Sequence, residues 1–65
     1  MVDCKKIEDM IREKGIMQKE LAEAVGISEQ MVSYIIRGLR EPSITVLSRI
    51  AKALGCTTAE LLVEE

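Results

Sequence analysis

Apolar residues recur at helical spacing in four segments, within residues 4–11, 21–25, 32–36 and 44–54, and a shorter apolar segment follows at 61–62. Residues three or four positions apart share one face of a helix, so each segment predicts a helix with an apolar face. We therefore expect an all-α fold, a compact five-helix bundle in which these faces meet in one core. The residues expected in that core are Cys4, Ile7, Met10, Ile11, Leu21, Ala22, Val25, Val32, Ile35, Ile36, Ile44, Leu47, Ile50, Ala51, Leu54, Leu61 and Leu62.

Residues that begin or end helices separate these segments. Asp3 is an N-cap for the first helix, and Gly15 follows its last turn. Gly26 is expected to end the second helix in a left-handed conformation, and the Ser28 hydroxyl to cap the third. Met17 occupies the N-cap position of the second helix, where its side chain cannot replace a capping hydroxyl. We expect packing to hold this helix more than its cap does.

The fourth helix is predicted to begin at Pro42-Ser43 and to end near Gly55. The run from Thr57 to Glu60 has the pattern of a capping box, which predicts a short fifth helix. We expect residues 63–65 to fray, because terminal residues are held by few contacts.

The chain is organised around residues 17–37, which form two short helices joined at Gly26. The second of these helices has its apolar face on Val32, Ile35 and Ile36. Its other side carries hydrogen-bonding groups, as a helix that reads base edges in the major groove of DNA must. These outward residues are Glu29, Gln30, Ser33, Tyr34 and Arg37.

This stretch and the residues after it resemble the phage-repressor and Cro-like (XRE-type) family of helix-turn-helix DNA-binding regulators. The resemblance implies a lambda-repressor-like DNA-binding domain that binds double-stranded DNA in the major groove. It also implies a small transcriptional regulator of a bacterium or phage. Because no effector or catalytic domain is evident in the sequence, we expect it to act as a repressor by steric exclusion. The matching residues are Gln18, Leu21, Ala22, Gly26, Ile27, Ser28, Val32, Ser33, Ile35, Gly38, Pro42, Ser43, Leu47, Ala51, Leu54 and Gly55.

The resemblance assigns DNA contacts to residues on both helices and on the loop after them. Gln30 lies near the start of the recognition helix, and its amide can pair with adenine. Glu29 either accepts a hydrogen bond from cytosine or only stabilises the helix start, and Tyr34 either contacts DNA or covers the core. Arg37 and Arg40 either meet phosphates or remain solvated. The full set of candidate DNA-binding residues is Gln18, Ser28, Glu29, Gln30, Ser33, Tyr34, Arg37 and Arg40.

Three features depart from the family pattern. Met17 stands where Ser, Thr or Asn is usual, so no hydroxyl is available there for a phosphate. Leu39 follows the recognition helix where a basic residue is common, and it is a candidate for protein contact. Ile11 and Ile36 stand where many relatives carry a partly buried Arg–Glu ion pair, and we expect the two isoleucines to touch.

The charge of the chain bears on its partner. Its 65 residues carry a net charge of −2, which is low for a general nucleic-acid binder. Residues 14–40 hold four basic and three acidic side chains, whereas the remainder holds five basic and eight acidic ones. A mildly basic reading side is compatible with DNA binding of modest non-specific affinity. The alternative is a protein-interaction module, for example an antitoxin-type domain, that keeps the fold with little DNA affinity.

The residue types present argue against catalytic and cofactor chemistry. The chain has no His, and its carboxylates are scattered over predicted solvent faces, so we expect no enzyme, no metal site and no cofactor. Cys4 and Cys56 lack metal-ligand spacing and are interpreted as buried or half-buried thiols. Without a long apolar run or a signal-peptide pattern, we expect one soluble, cytoplasmic domain over residues 1–65 with no membrane or small-molecule partner.

A single copy of such a domain offers few contacts to phosphates and bases. These contacts are too few to give the high affinity that is typical of specific DNA binding. We therefore expect two copies on a two-fold operator, with recognition helices about 34 Å apart. The free protein is expected to be a weak homodimer or a monomer, with pairing completed on DNA. Leu39 and Val63 are apolar residues outside the predicted core, and they are candidates for a small interface.

Overall fold

A computed structural model describes residues 1–63 and contains four α-helices in this part of the chain. None of these helices is long and apolar enough to cross a membrane. A single 3₁₀ turn follows the last helix. The elements are α1 Cys4–Lys14, α2 Gln18–Val25, α3 Glu29–Ile36, α4 Ile44–Leu54 and the 3₁₀ turn Ala59–Leu61.

Local hydrogen bonds start the helices where the sequence predicts. The Asp3 carboxylate accepts from the Lys6 backbone N–H at 3.1 Å and caps α1. The Ser28 hydroxyl oxygen caps α3 by accepting from the backbone N–H of Met31 at 3.0 Å. Ser43 caps α4 in the same way, at 3.2 Å from the backbone nitrogen of Val46. These caps satisfy N–H groups that a helix start otherwise leaves without a partner.

The predicted apolar faces meet in one core. Helix α2 packs against α3 and α4, and α1 packs against α3, α4 and the 3₁₀ turn. Among residues 1–63, no polar or charged side chain is buried. Burial of aliphatic surface therefore provides most of the stabilisation. The buried hydrophobic residues are Ile7, Ile11, Leu21, Ala22, Val25, Val32, Ile35, Ile36, Leu47, Ile50, Ala51, Leu54 and Leu61.

The predicted fifth helix is wrong, because the chain forms only the 3₁₀ turn there. The Thr57 hydroxyl accepts from the Glu60 backbone N–H at 3.3 Å, as the capping pattern predicts. Leu62 then turns to an extended conformation and pairs with Val2 in an antiparallel bridge. That pairing ends the turn and leaves the Leu62 side chain 38% exposed, outside the predicted core.

The pairing of the two terminal segments also holds Val63, which was expected to fray. Its backbone N–H donates to the Met1 carbonyl at 2.9 Å, and the Asp3 N–H donates to the Leu61 carbonyl at 2.8 Å. The rest of the segment predicted to fray, residues 64–65, lies outside the described residues.

Ile44 is a second correction to the predicted core, since 73% of it is exposed. It directly follows the N-cap Ser43, so it belongs to the first turn of α4 at the edge of the molecule. Leu47 and Ile50, further along the same helix, are buried as predicted. Periodicity identified the face of α4, but it did not show that the core begins one turn after the helix does.

Candidate nucleic-acid interface

Helices α2 and α3 are joined by a turn of three residues. Gly26 has a φ of 84°, which L side chains rarely adopt, and its N–H donates to the Ala22 carbonyl at 2.8 Å. The Ile27 N–H donates to the same carbonyl at 3.1 Å, which closes the end of α2. Ser28 then caps α3. Backbone hydrogen bonds at the end of α2 and the Ser28 side-chain cap at the start of α3 therefore hold the helix pair predicted from the sequence.

The core holds α3 by one face and leaves its opposite face accessible. Val32, Ile35 and Ile36 are buried, as predicted. On the other face, the candidate DNA-binding residues Glu29 and Gln30 are exposed, and Ser33 and Tyr34 are half-buried. Counted from Gln30, the next candidates follow at three, four and seven positions, so all of them share one side of the helix. They are Ser33, Tyr34 and Arg37.

Two of the candidate residues are in direct contact. The Gln30 side-chain amide donates from Nε2 to the Tyr34 hydroxyl oxygen at 2.7 Å. Since the residues lie four positions apart, the bond runs along one face of α3. The Tyr34 hydroxyl therefore contacts a residue that is predicted to read bases. A contact of Tyr34 itself with DNA stays a prediction.

The start of α2 carries another candidate residue, Gln18, which is exposed at the first helical position. Met17 precedes it as the N-cap and provides no side-chain cap. Instead, the Glu20 carboxylate accepts from the Met17 backbone N–H at 3.0 Å. Lys19, the next residue of the first turn, is exposed beside Gln18.

The loop after α3 carries the two candidate arginines. Arg37 is the C-cap residue of α3 and Arg40 lies three residues later, and both are exposed. The backbone N–H groups of Leu39 and Arg40 both donate to the Tyr34 carbonyl, at 2.8 and 3.3 Å, which holds the loop against the helix. Within residues 1–63 neither arginine forms an ion pair, so both cations face solvent.

Arg49, which no pattern in the sequence singles out, connects α4 to the end of α2. Its guanidinium Nη1 donates to the Val25 carbonyl at 3.4 Å. A Cβ added to Gly26 would lie 3.8 Å from the same nitrogen. A cation at a helix C-terminus interacts favourably with the helix dipole and with carbonyls that have no partner within the helix. Arg49 therefore supports the position of the turn between α2 and α3.

The two cysteines are not among the candidate DNA-binding residues. Cys4 and Cys56 are free and half-buried, as predicted. Burial raises the pKa of the Cys56 thiol, the Glu60 carboxylate raises it further, and Lys6 and Lys14 oppose the shift. The net effect of these surroundings is to oppose ionisation of the Cys56 thiol. No group of three potential metal-ligating side chains is found in residues 1–63.

The chain is similar in sequence to known proteins. The profile of the family described as Helix-turn-helix matches residues 7–61. An uncharacterised HTH-type transcriptional regulator of Sinorhizobium fredii is 41% identical over 51 residues, which are 78% of this chain and 66% of that protein. This chain thus spans just under two thirds of that relative's length.

Solved structures share the fold. The P22 c2 repressor, crystallised with a synthetic operator, superposes with a TM-score of 0.91 at 28% identity, covering 100% of this chain and 98% of that one. The N-terminal DNA binding domain of SinR from Bacillus subtilis superposes with a TM-score of 0.85 at 33% identity, covering 95% and 91%. The similarity extends over nearly the whole chain, so it includes both helices of the candidate interface.

Proposed function

Since this chain belongs to the helix-turn-helix family of phage-repressor and Cro-like regulators, we propose that it binds double-stranded DNA at specific sequences and regulates transcription there. The family is one of regulators and not a class of enzymes, and we propose no catalytic step for this chain. We propose that the protein acts in the bacterial cytoplasm, where the DNA is held. Repression by occupying an operator is the simplest output of such binding.

The observation that carries the proposal is the asymmetry of α3. One face of this helix is buried in the core, and the other presents amide, hydroxyl and carboxylate groups to solvent. A helix of this kind fits the major groove, where each base pair displays its own pattern of donors and acceptors. The same asymmetry favours DNA binding over the protein-interaction alternative, because an apolar partner surface would favour apolar residues on this face.

The proposed contacts divide into those that read bases and those that bind phosphates. Gln30 and Glu29 at the start of α3 are proposed to reach base edges, with Ser33 beside them. Arg37 and Arg40, which have no acidic partner in the described part of the chain, are proposed to bind phosphates. The remaining proposed phosphate contacts come from Gln18, Ser28 and Tyr34.

Two copies on a two-fold operator are proposed as the bound form. The Cα atoms span 31 Å along the longest axis, so adjacent copies have the dimensions to place equivalent helices one DNA turn apart, about 34 Å. Leu39 is 61% exposed and Val63 is 42% exposed, and both are apolar. They are the proposed source of a small contact between copies, too small to hold a stable dimer in free solution.

Selection of genomic fragments by the purified protein, followed by footprinting, tests this function. We expect a protected site with two-fold symmetry. Gln30→Ala is expected to relax preference at one base position, at a cost of about 1–3 kcal/mol on the selected site. Arg40→Ala serves as the matched control, since losing a phosphate contact weakens all sequences about equally and lowers the salt dependence. Failure to enrich any sequence would contradict the proposal.

A further inference from the structure

The hydrogen bond between Gln30 and Tyr34 determines which groups of the Gln30 amide remain for a base. The amide nitrogen Nε2 donates and the Tyr34 hydroxyl oxygen accepts, at 2.7 Å. A primary amide has two N–H donors and one acceptor oxygen. Gln30 therefore keeps one N–H and its Oε1 for another partner, and Tyr34 keeps its own hydroxyl proton.

A tyrosine hydroxyl can accept or donate, so the bond alone permits either orientation of the amide. A phosphate oxygen removes that freedom, because an ionised phosphate only accepts hydrogen bonds. If the Tyr34 hydroxyl donates to a phosphate, it has only acceptor capacity left for Gln30. The amide must then keep Nε2 toward Tyr34, which is the orientation in the structure.

The fixed orientation matches one purine better than the other. In the major groove adenine offers the N7 acceptor and the N6 donor, whereas guanine offers two acceptors, N7 and O6. The remaining N–H and the Oε1 of Gln30 complement adenine. If the base were guanine, Gln30 Oε1 would face guanine O6. Both atoms are acceptors, so no hydrogen bond could form between them.

We propose that Tyr34 is a positioning residue that makes Gln30 select adenine over guanine, by donating its hydroxyl proton to a DNA phosphate while accepting from the Gln30 amide. This inference rests on the proposed DNA-binding function and assigns a base preference to one position of the operator. Tyr34 contacts the Gln30 amide and a phosphate of the DNA backbone, and it does not itself read the base.

The test uses the selected operator and two versions of it, with adenine or guanine at the position where Gln30→Ala relaxes preference. Fluorescence anisotropy gives the ratio of the two affinities. For the wild-type protein we expect a preference for adenine of about 5- to 150-fold. Tyr34→Phe keeps the ring but removes the hydroxyl, and we expect it to reduce this ratio by about fivefold, the usual contribution of one hydrogen bond.

The double variant separates positioning from a merely structural role. In a Gln30→Ala background, Tyr34→Phe should leave the adenine-to-guanine ratio unchanged, because no amide remains to be oriented. A structural role would instead lower the affinity for both operators equally, and circular dichroism melting of Tyr34→Phe reports any loss of folding.

Each result has a defined meaning. An unchanged ratio in Tyr34→Phe, or a wild-type preference for guanine, overturns the inference while the proposed function stands. A Gln30→Ala variant without relaxed preference at any position overturns both the inference and the role of Gln30 as a base reader. Failure of the wild-type protein to select any operator overturns the proposed function and the inference together.

Discussion

The start of α2 lacks a side-chain cap, and Met17→Ser is expected to supply one. The Met17 backbone has φ −80° and ψ 152°, nearly the same as the true cap Ser28 with −75° and 154°. A serine at this position thus needs no backbone rearrangement to accept from the Glu20 N–H. The reciprocal half of a capping box is already present, since the Glu20 carboxylate accepts from the Met17 N–H at 3.0 Å.

The magnitude follows from what the substitution adds and removes. A capping hydroxyl contributes about 1 kcal/mol relative to a residue without one. The methionine lost is 64% exposed, so little apolar burial is given up. For a domain of this size, a stabilisation of about 1 kcal/mol raises the melting temperature by about 4–8 °C.

Thermal melting followed by circular dichroism measures this shift, with Met17→Ala as the matched control. Alanine removes the same thioether but offers no acceptor, so the difference between the two variants isolates the cap. Equal melting temperatures for Met17→Ser and Met17→Ala would show that the added hydroxyl does not cap α2.

Three further perturbations test other parts of the structure. Ile36→Glu places a charge in the core and should lower the free energy of unfolding by about 3–5 kcal/mol, and adding Ile11→Arg should recover part of that loss. A double-mutant cycle measured by denaturant unfolding tests this. Additive effects of the two substitutions would exclude contact between the two positions. Gly26→Ala should cost about 1–2 kcal/mol in chemical denaturation, because its φ of 84° is left-handed, and an unchanged stability would contradict this. Burial and Glu60 raise the pKa of the Cys56 thiol. In the Cys4→Ser variant, the rate at which iodoacetamide alkylates Cys56 should therefore rise with pH around a midpoint above that of an ordinary thiol. A midpoint at or below the ordinary value would contradict this direction.

Features set by neighbouring residues were predictable from the sequence. The caps at Asp3 and Ser28 and the left-handed Gly26 depend on bonds that span three or four residues, and all three were confirmed. The buried face of α3 followed from helical periodicity in the same way. The exposure of Glu29 and Gln30 on the opposite face of α3 followed from the same periodicity. That these residues contact DNA stays a prediction.

Features set by distant residues were not predictable. The 3₁₀ turn ends because Leu62 pairs with Val2, at the other end of the described chain. The bond from Arg49 to the Val25 carbonyl joins residues 24 positions apart, and no local pattern indicates it. Even the Gln30–Tyr34 bond, whose spacing is readable, has a direction that only the geometry provides.

We propose that this protein binds duplex DNA by sequence. The most direct measurement is an anisotropy titration of the wild-type protein with its selected operator and with a scrambled duplex, repeated at several salt concentrations. We expect the operator to bind at least about 10³-fold more tightly than the scrambled duplex at physiological salt, and both affinities to fall as the salt concentration is raised. Equal affinities for the two duplexes, or binding that does not respond to salt, would contradict it.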